Sequence, residues 1–282
     1  MGKGFRSAPQ DALIADVTTA ANRGASYGFH SSMDNAGQLL GPFAAGFLLL
    51  LGLSFRSVIL LSILPGLAAG LTIWTLREKS AERPPKSKTQ TLFQDWKKLG
   101  GDFKMLLGVL FLFTLGNSSD AFLMIRLSQL GVSAWLIALL WGLHGGVRML
   151  SAYWGGLLSD RLGRKPLIIS GWFFYALIYL AFAIAHQKEA VIAIFLAYGL
   201  FYGLSEPSEK AFVADLAPQS LRGTAFGYYN LMMGLGALTA SVLFGWVGQT
   251  WGYPSAFMVG GSFAGLASVL LFFVRPGYQS SR

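Results

Sequence analysis

What most constrains this chain is a series of long runs from which charge is missing. Residues 36–53, 57–74, 105–116, 132–147, 166–185, 190–205, 231–248 and 256–274 contain no Asp, Glu, Lys or Arg. Crossing the hydrocarbon of a bilayer takes about 20 mostly apolar residues. All but the third and sixth runs reach or approach that length, and those two extend through a few polar residues. Lipid offers the backbone no hydrogen-bond partner, so each crossing segment must be a helix. Eight spans are expected, at 24–50, 55–76, 104–127, 132–154, 166–186, 190–214, 222–248 and 253–274. The first is overlong, which places its start in the water interface. Joints such as "LGLSFRS", "HQKE" and "GQTWGYP" are short enough to force antiparallel neighbours. The expected fold class is therefore an all-α integral membrane bundle of about eight transmembrane helices. Composition agrees, because only 12% of the residues are charged against about a quarter in ordinary soluble domains.

The net charge of +9 would suggest nucleic acid in a soluble basic domain, but its placement argues for a membrane and against nucleic acid. If residues 77–103 face the cytoplasm, every Lys and Arg falls on that side except Arg56, Arg126 and Lys188, which face outside, and Arg148, which stays within the membrane. This asymmetry is the positive-inside bias, and it sets a cytoplasmic carboxy terminus. The chain has no cysteine, so disulfide and thiol chemistry are excluded. The opening "MGKGFRSAPQDALIAD" lacks the apolar core of a signal peptide, and Arg6 stands where a myristoylation signal needs a hydroxyl residue.

Laying residues 12–46 over 211–245 reveals an internal repeat. Identities fall at Ala12/Ala211, Ala15/Ala214, Asp16/Asp215, Arg23/Arg222, Gly24/Gly223, Gly28/Gly227, Met33/Met232, Gly37/Gly236, Leu39/Leu238 and Gly46/Gly245. Both copies read ADx6RGx3G and both precede a span running outward from the cytoplasm. Such repeats are parallel, related by an axis along the membrane normal. The second copy lies in the fifth connection of a six-helix set, 104–274. The first should hold the same place in its own set, so the pattern resembles twelve helices lacking most of the first four. The expected parts are a remnant at 1–76 (end of a fourth helix, fifth and sixth helices), a cytoplasmic central loop at 77–103, a complete six-helix unit at 104–274 and a cytoplasmic tail at 275–282.

Within that unit, Gly156, Leu158, Ser159, Asp160, Arg161, Leu162, Gly163, Arg164 and Lys165 fall between the second and third helices. They match the GxLxDRxGRK signature of the major facilitator superfamily, which the whole chain resembles. "LGNSSDAFLMIRLSQLG", "YGLFYGLSEPSEKAFVADLAP" and "LRGTAFGYYNLMMGLGAL" are similar to bacterial members of undefined substrate. The resemblance implies a multi-pass protein of the bacterial plasma (inner) membrane. It also implies that the signature acts as a latch holding the outward-open state, with Asp160 and Arg164 in that role. Gly156 and Gly163 permit close helix approach and a tight turn. Asp160 is expected to cap the helix starting at 222, while Arg161 and Arg164 reach acids such as Asp215 or lipid phosphates. The competing reading is that the four charges merely anchor a short loop. Asp16 with Arg23, and Asp215 with Arg222, are expected to play related parts, or to serve only as caps and anchors. Gly24/Gly28 and Gly223/Gly227 are GxxxG spacings that predict close packing.

Ionisable groups inside a span are costly unless they face a cavity or a partner, so they are functional candidates. His30 and Asp34 share a helix face, as do His144 and Arg148. Tyr198, Tyr202, Glu206 and Glu209 form another stripe. Helical rise places Asp34 and His144 near midplane, His30, Arg148 and Glu206 toward the cytoplasm, and Asp120 nearer the outside. A single polar path through the bundle is one reading; a static network, for instance Arg148 with Glu206, is the other. His30 and Asp34 correspond to Tyr229 and Met233 in the repeat, so shared scaffold geometry does not require them. Glu209 and Lys210 read as a solvated pair at the water boundary.

These residues predict a carrier moving a small solute by alternating access, coupled to protons through the buried acids. The second reading is a transport-incompetent remnant with a structural or interaction role. An enzyme is not expected, since HExxH and GxSxG are absent and the three histidines are scattered. No cofactor, metal or catalytic residue is expected. The expected partners are a small-molecule substrate, protons and membrane lipid.

Overall fold

A computed structural model describes residues 2–75 and 92–275. Its helices are α1 (Gly2–Val17), α2 (Arg23–Leu50), α3 (Phe55–Leu61), α4 (Ile63–Thr75), α5 (Leu92–Lys98), α6 (Gly101–Gly116), α7 (Ala121–Gln129), α8 (Ala134–Leu162), α9 (Arg164–Ile184), α10 (Lys188–Leu216), α11 (Arg222–Trp251) and α12 (Tyr253–Leu271). The chain is all-α, and seven helical stretches among the described residues are long and apolar enough to cross a membrane. The eighth expected span, α2, has 28 residues, but its first half is polar and buries one face against α8 and α10. Of the expected central loop, 77–91 lies outside the described residues and 92–98 forms α5. The tail beyond residue 275 is likewise outside them.

Two expected boundaries differ in a way that matters. The span at 104–127 is not one helix, because α6 ends at Gly116 and α7 starts at Ala121. Backbone groups at the break are satisfied from within the protein, as a helix break inside a membrane requires. The Tyr175 hydroxyl donates to the Gly116 carbonyl at 3.0 Å, the Asn117 N–H to the Phe113 carbonyl at 3.1 Å and the Ala121 N–H to Ser119 Oγ at 3.3 Å. The second difference is at the signature, where α8 runs on to Leu162 instead of stopping at 154. Gly156 and Asp160 therefore sit on the last turns of a rigid helix, and the connection to α9 shrinks to Gly163. That residue has φ 93°, a conformation nearly closed to side-chain-bearing residues.

The core lies between α6, α9, α10, α11 and α12 and is largely aromatic. Phe113 stacks on Trp172 with centroids 4.4 Å apart, Tyr175 on Tyr179 at 4.2 Å, and Phe182 on Phe257 at 5.3 Å. Glycine sets the closest approaches. A Cβ on Gly203 would collide with the backbone of Ser151, so α8 and α10 touch main chain to main chain. α2 packs along α8 and α10, and α1 packs against α11. Residues 55–72 of α3 and α4 bury nothing, which leaves them an exposed, mostly apolar surface.

Candidate functional site

The latch residues come together where α1, α2, α8, α9, α10 and α11 meet. α2 starts at Arg23 with no side-chain cap of its own, so its first amide groups need an acceptor from elsewhere. Asp160 supplies it: its carboxylate accepts from the Gly24 N–H at 3.0 Å and the Ala25 N–H at 2.7 Å. The expectation that Asp160 caps the helix at 222 is thus corrected, because the other copy of the repeat holds that place. The reason is steric. Gly24 and Gly28 press so closely on Gly156 and Ala152 that α2, and not α11, lies within reach of the α8 terminus.

Arg164 ties the site together. It pairs with Asp160, donates to Asp215 Oδ2 at 3.3 Å and to Ser159 Oγ at 3.3 Å, and also bonds the Ala20 carbonyl. The repeat acids and cations then pair crosswise between copies. Arg23 of the first copy bonds Asp215 of the second, and Arg222 of the second bonds Asp16 of the first at 2.9 Å. Arg222 also donates to the Ala15 carbonyl at 2.9 Å. The two bonds differ in environment: Asp215 is 13% exposed and Asp16 is 46% exposed. Of the two expectations for Arg161, the pairing with an acid such as Asp215 is not seen, since its side chain is exposed and takes no part in this cluster. Gly223 and Gly227 are also unlike their partners, because a Cβ at either would meet nothing.

That asymmetry makes a direct comparison. A Cβ on Gly28 would sit 2.6 Å from the Ala152 carbonyl oxygen and 2.8 Å from Gly156 Cα, backbone atoms that cannot step aside. Gly28→Ala should destabilise the protein by about 1–3 kcal/mol, as overpacking does. Gly227→Ala should be neutral or stabilising by up to about 1 kcal/mol, the helical gain of Ala over Gly. Thermal unfolding of the two purified variants in detergent checks this, and equal behaviour would refute the close-packing account.

A second polar cluster sits at the break between α6 and α7. Asp120, immediately before α7, accepts from the Tyr198 hydroxyl at 2.9 Å and the Tyr202 hydroxyl at 3.2 Å. Arg148 on α8 lies 4.0 Å from Asp120 and spreads its guanidinium over the Tyr202 ring, 3.5 Å from the centroid. His144, one turn up α8, is fully buried. Its Nδ1 meets the Phe195 carbonyl at 3.2 Å, and its ring stacks between Trp141 and Tyr198. Asp120, His144, Arg148 and Tyr202 are thus one constellation. Arg148 comes within 4.0 Å of Asp120, whereas Glu206, its partner in the static alternative, lies beyond ion-pair distance but still acts on its charge.

Glu206 belongs to a neighbouring network that sequence reasoning missed. Lys210 bridges Glu206 at 3.3 Å and Asp11 at 3.5 Å, with Asp11 only 4% exposed. Glu209 is buried and accepts from Trp172 Nε1–H at 2.7 Å and the Tyr229 hydroxyl at 3.3 Å. The solvated pair expected at 209 and 210 is therefore corrected, because α1 and α11 close over this turn of α10. The i,i+4 spacing of Glu206 and Lys210 was a visible signal, whereas nothing local marked Asp11. His30 meets Gln10 of α1 at 2.5 Å. Asp34 is exposed on α2 and joins neither cluster, so the residues form two patches and not the single path that was one expectation.

The chain matches the family model described as Major Facilitator Superfamily over residues 1–204 and 149–282, which together take in its whole length. It is 29% identical over 281 residues to an uncharacterized MFS-type transporter of Methanocaldococcus jannaschii, covering 97% of this chain and 69% of that protein. An uncharacterized protein of Mycobacterium tuberculosis is 26% identical over 257 residues, covering 88% of this chain and 62% of the relative. Among solved structures, the proton:xylose symporter XylE bound to 6-bromo-6-deoxy-D-glucose superposes with a TM-score of 0.74 at 18% identity. That match covers 94% of this chain and 67% of the symporter chain. The chain therefore spans about two thirds of the length of these three proteins.

Proposed function

The chain belongs to the major facilitator superfamily, a membrane transporter family, and from that membership we propose that it carries a small solute by alternating access, coupled to protons. The observation that carries this reading is the Asp120–Arg148 pair with Tyr198 and Tyr202, ionisable groups at a helix break inside the membrane. Unwound backbone at membrane depth occurs where it lines a cavity, and charges there mark substrate or ion pathways. Carboxylate, guanidinium and phenol together can bind a polar solute and exchange a proton against it. The crosswise clasp of Asp160, Arg164, Arg23–Asp215 and Arg222–Asp16 would then close one face during the cycle. The positive-inside bias supports a cytoplasmic location for the clasp and the carboxy terminus, in the plasma membrane of a bacterium.

The second reading is a membrane piece with a structural or interaction role. Gly223 and Gly227, open where Gly24 and Gly28 are packed, favour it. Reconstitution separates the two. Proteoliposomes holding the full chain, tested against a panel of sugars, sugar acids, amino acids and organic cations under a pH gradient, should accumulate at least one class. A protonophore should abolish that accumulation. If no solute moves in either direction, the carrier reading fails.

A further inference from the structure

On the outer face of the bundle α8 and α10 leave a groove of about 430 Å³, lined by Val147, Leu150, Trp154 and Leu158 of α8 with Leu200 and Leu204 of α10. Its floor exists because two glycines face each other there: Gly155 meets the Gly203 carbonyl, and neither helix has a side chain to fill the space above. Ser151 also lines the groove, but its hydroxyl turns inward, donating to the Arg148 carbonyl at 3.2 Å and the Gly199 carbonyl at 3.1 Å. The groove therefore presents hydrocarbon. Its rim is open, with Leu150 58% and Trp154 65% exposed, and on a membrane protein that rim meets acyl chains.

Residues 147, 150, 154 and 158 follow the three- and four-residue spacing of one helix face, and the next position on that face is Arg161. Arg161 stands on the last turn of α8, where the chain leaves the apolar region. Its neighbours in the signature are spoken for: Asp160 holds the α2 amides and Arg164 holds Asp160 and Asp215. Arg161 itself is exposed and has no hydrogen bond or ion pair among the described residues. A long arginine at a helix end extends its guanidinium toward the headgroup layer, where it matches the two-pronged geometry of a phosphate.

We infer that this groove is a binding site for a phospholipid with an anionic headgroup, one acyl chain lying between α8 and α10 and the phosphate held by Arg161. Both ends of the ligand follow from the site: an uncharged slot for the chain and one unpaired cation directly below it. No free carboxylate accompanies Arg161 there to receive the ammonium of a zwitterionic headgroup, because Asp160 is committed to α2. The site does not depend on whether the chain transports.

The test is thermal unfolding of the purified full chain in detergent with added phosphatidylglycerol, phosphatidylcholine of the same chain length, or inorganic phosphate. Saturating phosphatidylglycerol should raise the midpoint by about 4 °C or more, phosphatidylcholine by clearly less, and inorganic phosphate not at all. Arg161→Gln should reduce the phosphatidylglycerol response to that of phosphatidylcholine, and Leu200→Trp, which fills the slot, should remove both. A photoactivatable phosphatidylglycerol should label peptides containing residues 147–158, which decides the matter if Leu200→Trp does not fold. An undiminished response of Arg161→Gln, an equal effect of inorganic phosphate, or labelling confined to other helices would overturn the proposal.

Discussion

Asp120→Asn should lower solute flux by about 10²–10³-fold while the bundle still assembles. Asp120 is the sole carboxylate within ion-pair distance of Arg148 among the described residues, and that arginine is only 15% exposed. Removing one member of such a pair leaves an uncompensated charge where water is scarce, at about 3–5 kcal/mol. Each 1.4 kcal/mol is a factor of about ten, which sets the expected loss. Two phenols, Tyr198 and Tyr202, also lose their charged acceptor. The companion variant Asp120→Asn/Arg148→Gln removes both charges. It should recover most of the thermal stability lost in the single variant without recovering flux, because neutrality is restored but the proton- and solute-binding groups are not. Wild-type flux in Asp120→Asn would remove this cluster from the transport pathway, and flux restored in the double variant would reduce it to a structural pair.

The second large effect is expected at the clasp. Asp160→Asn keeps an oxygen that can accept from one of the two α2 amides, but it loses the charge that serves Gly24, Ala25 and Arg164 together. Hydrogen bonds to charged groups contribute about 1.5–3 kcal/mol, so the balance between clasped and unclasped forms should shift by about 10- to 150-fold. The chain has no cysteine of its own, so a single introduced thiol reports this cleanly. Ser31 is a suitable position, since it is 2% exposed and its hydroxyl has no partner among the described residues. Maleimide labelling of Ser31→Cys should be slow in the clasped protein and faster by about tenfold or more when Asp160→Asn is added. Unchanged labelling would show that the glycine contact of Gly28 with Gly156, not the charges, keeps α2 seated.

The clasp also shows how far its parts could be read in advance. Asp160, Arg164, Asp215 and Arg222 were all legible, because acids and arginines at the ends of apolar helices are few and recur at a fixed offset. Their partners were not. Asp16 and Asp215 stand in identical local settings, as do Arg23 and Arg222, so nothing in the chain says whether they pair within a copy or between copies. The same degeneracy misplaced the cap, since two helices begin with the same Arg-Gly. At the buried network the difficulty was different. Glu209 and Lys210 lie where a helix nears water, and only the arrival of α1 from about 200 residues earlier makes that turn an interior.

By itself the sequence determined the solvent and the class of fold. Charge-free runs of membrane-spanning length admit only helices, a lopsided placement of Lys and Arg argues for one orientation, and a repeat with its signature specifies the family. These are properties of segments, fixed by the cost of burying a charge or an unbonded amide, which each segment bears alone. Tertiary structure decided which copy of the repeat meets Asp160, that Arg148 belongs with Asp120, and that Lys210 is enclosed. Those outcomes depend on distances between helices remote in the chain, set by where glycine lets two backbones touch: Gly28 on Gly156 and Gly155 on Gly203, but nothing on Gly227.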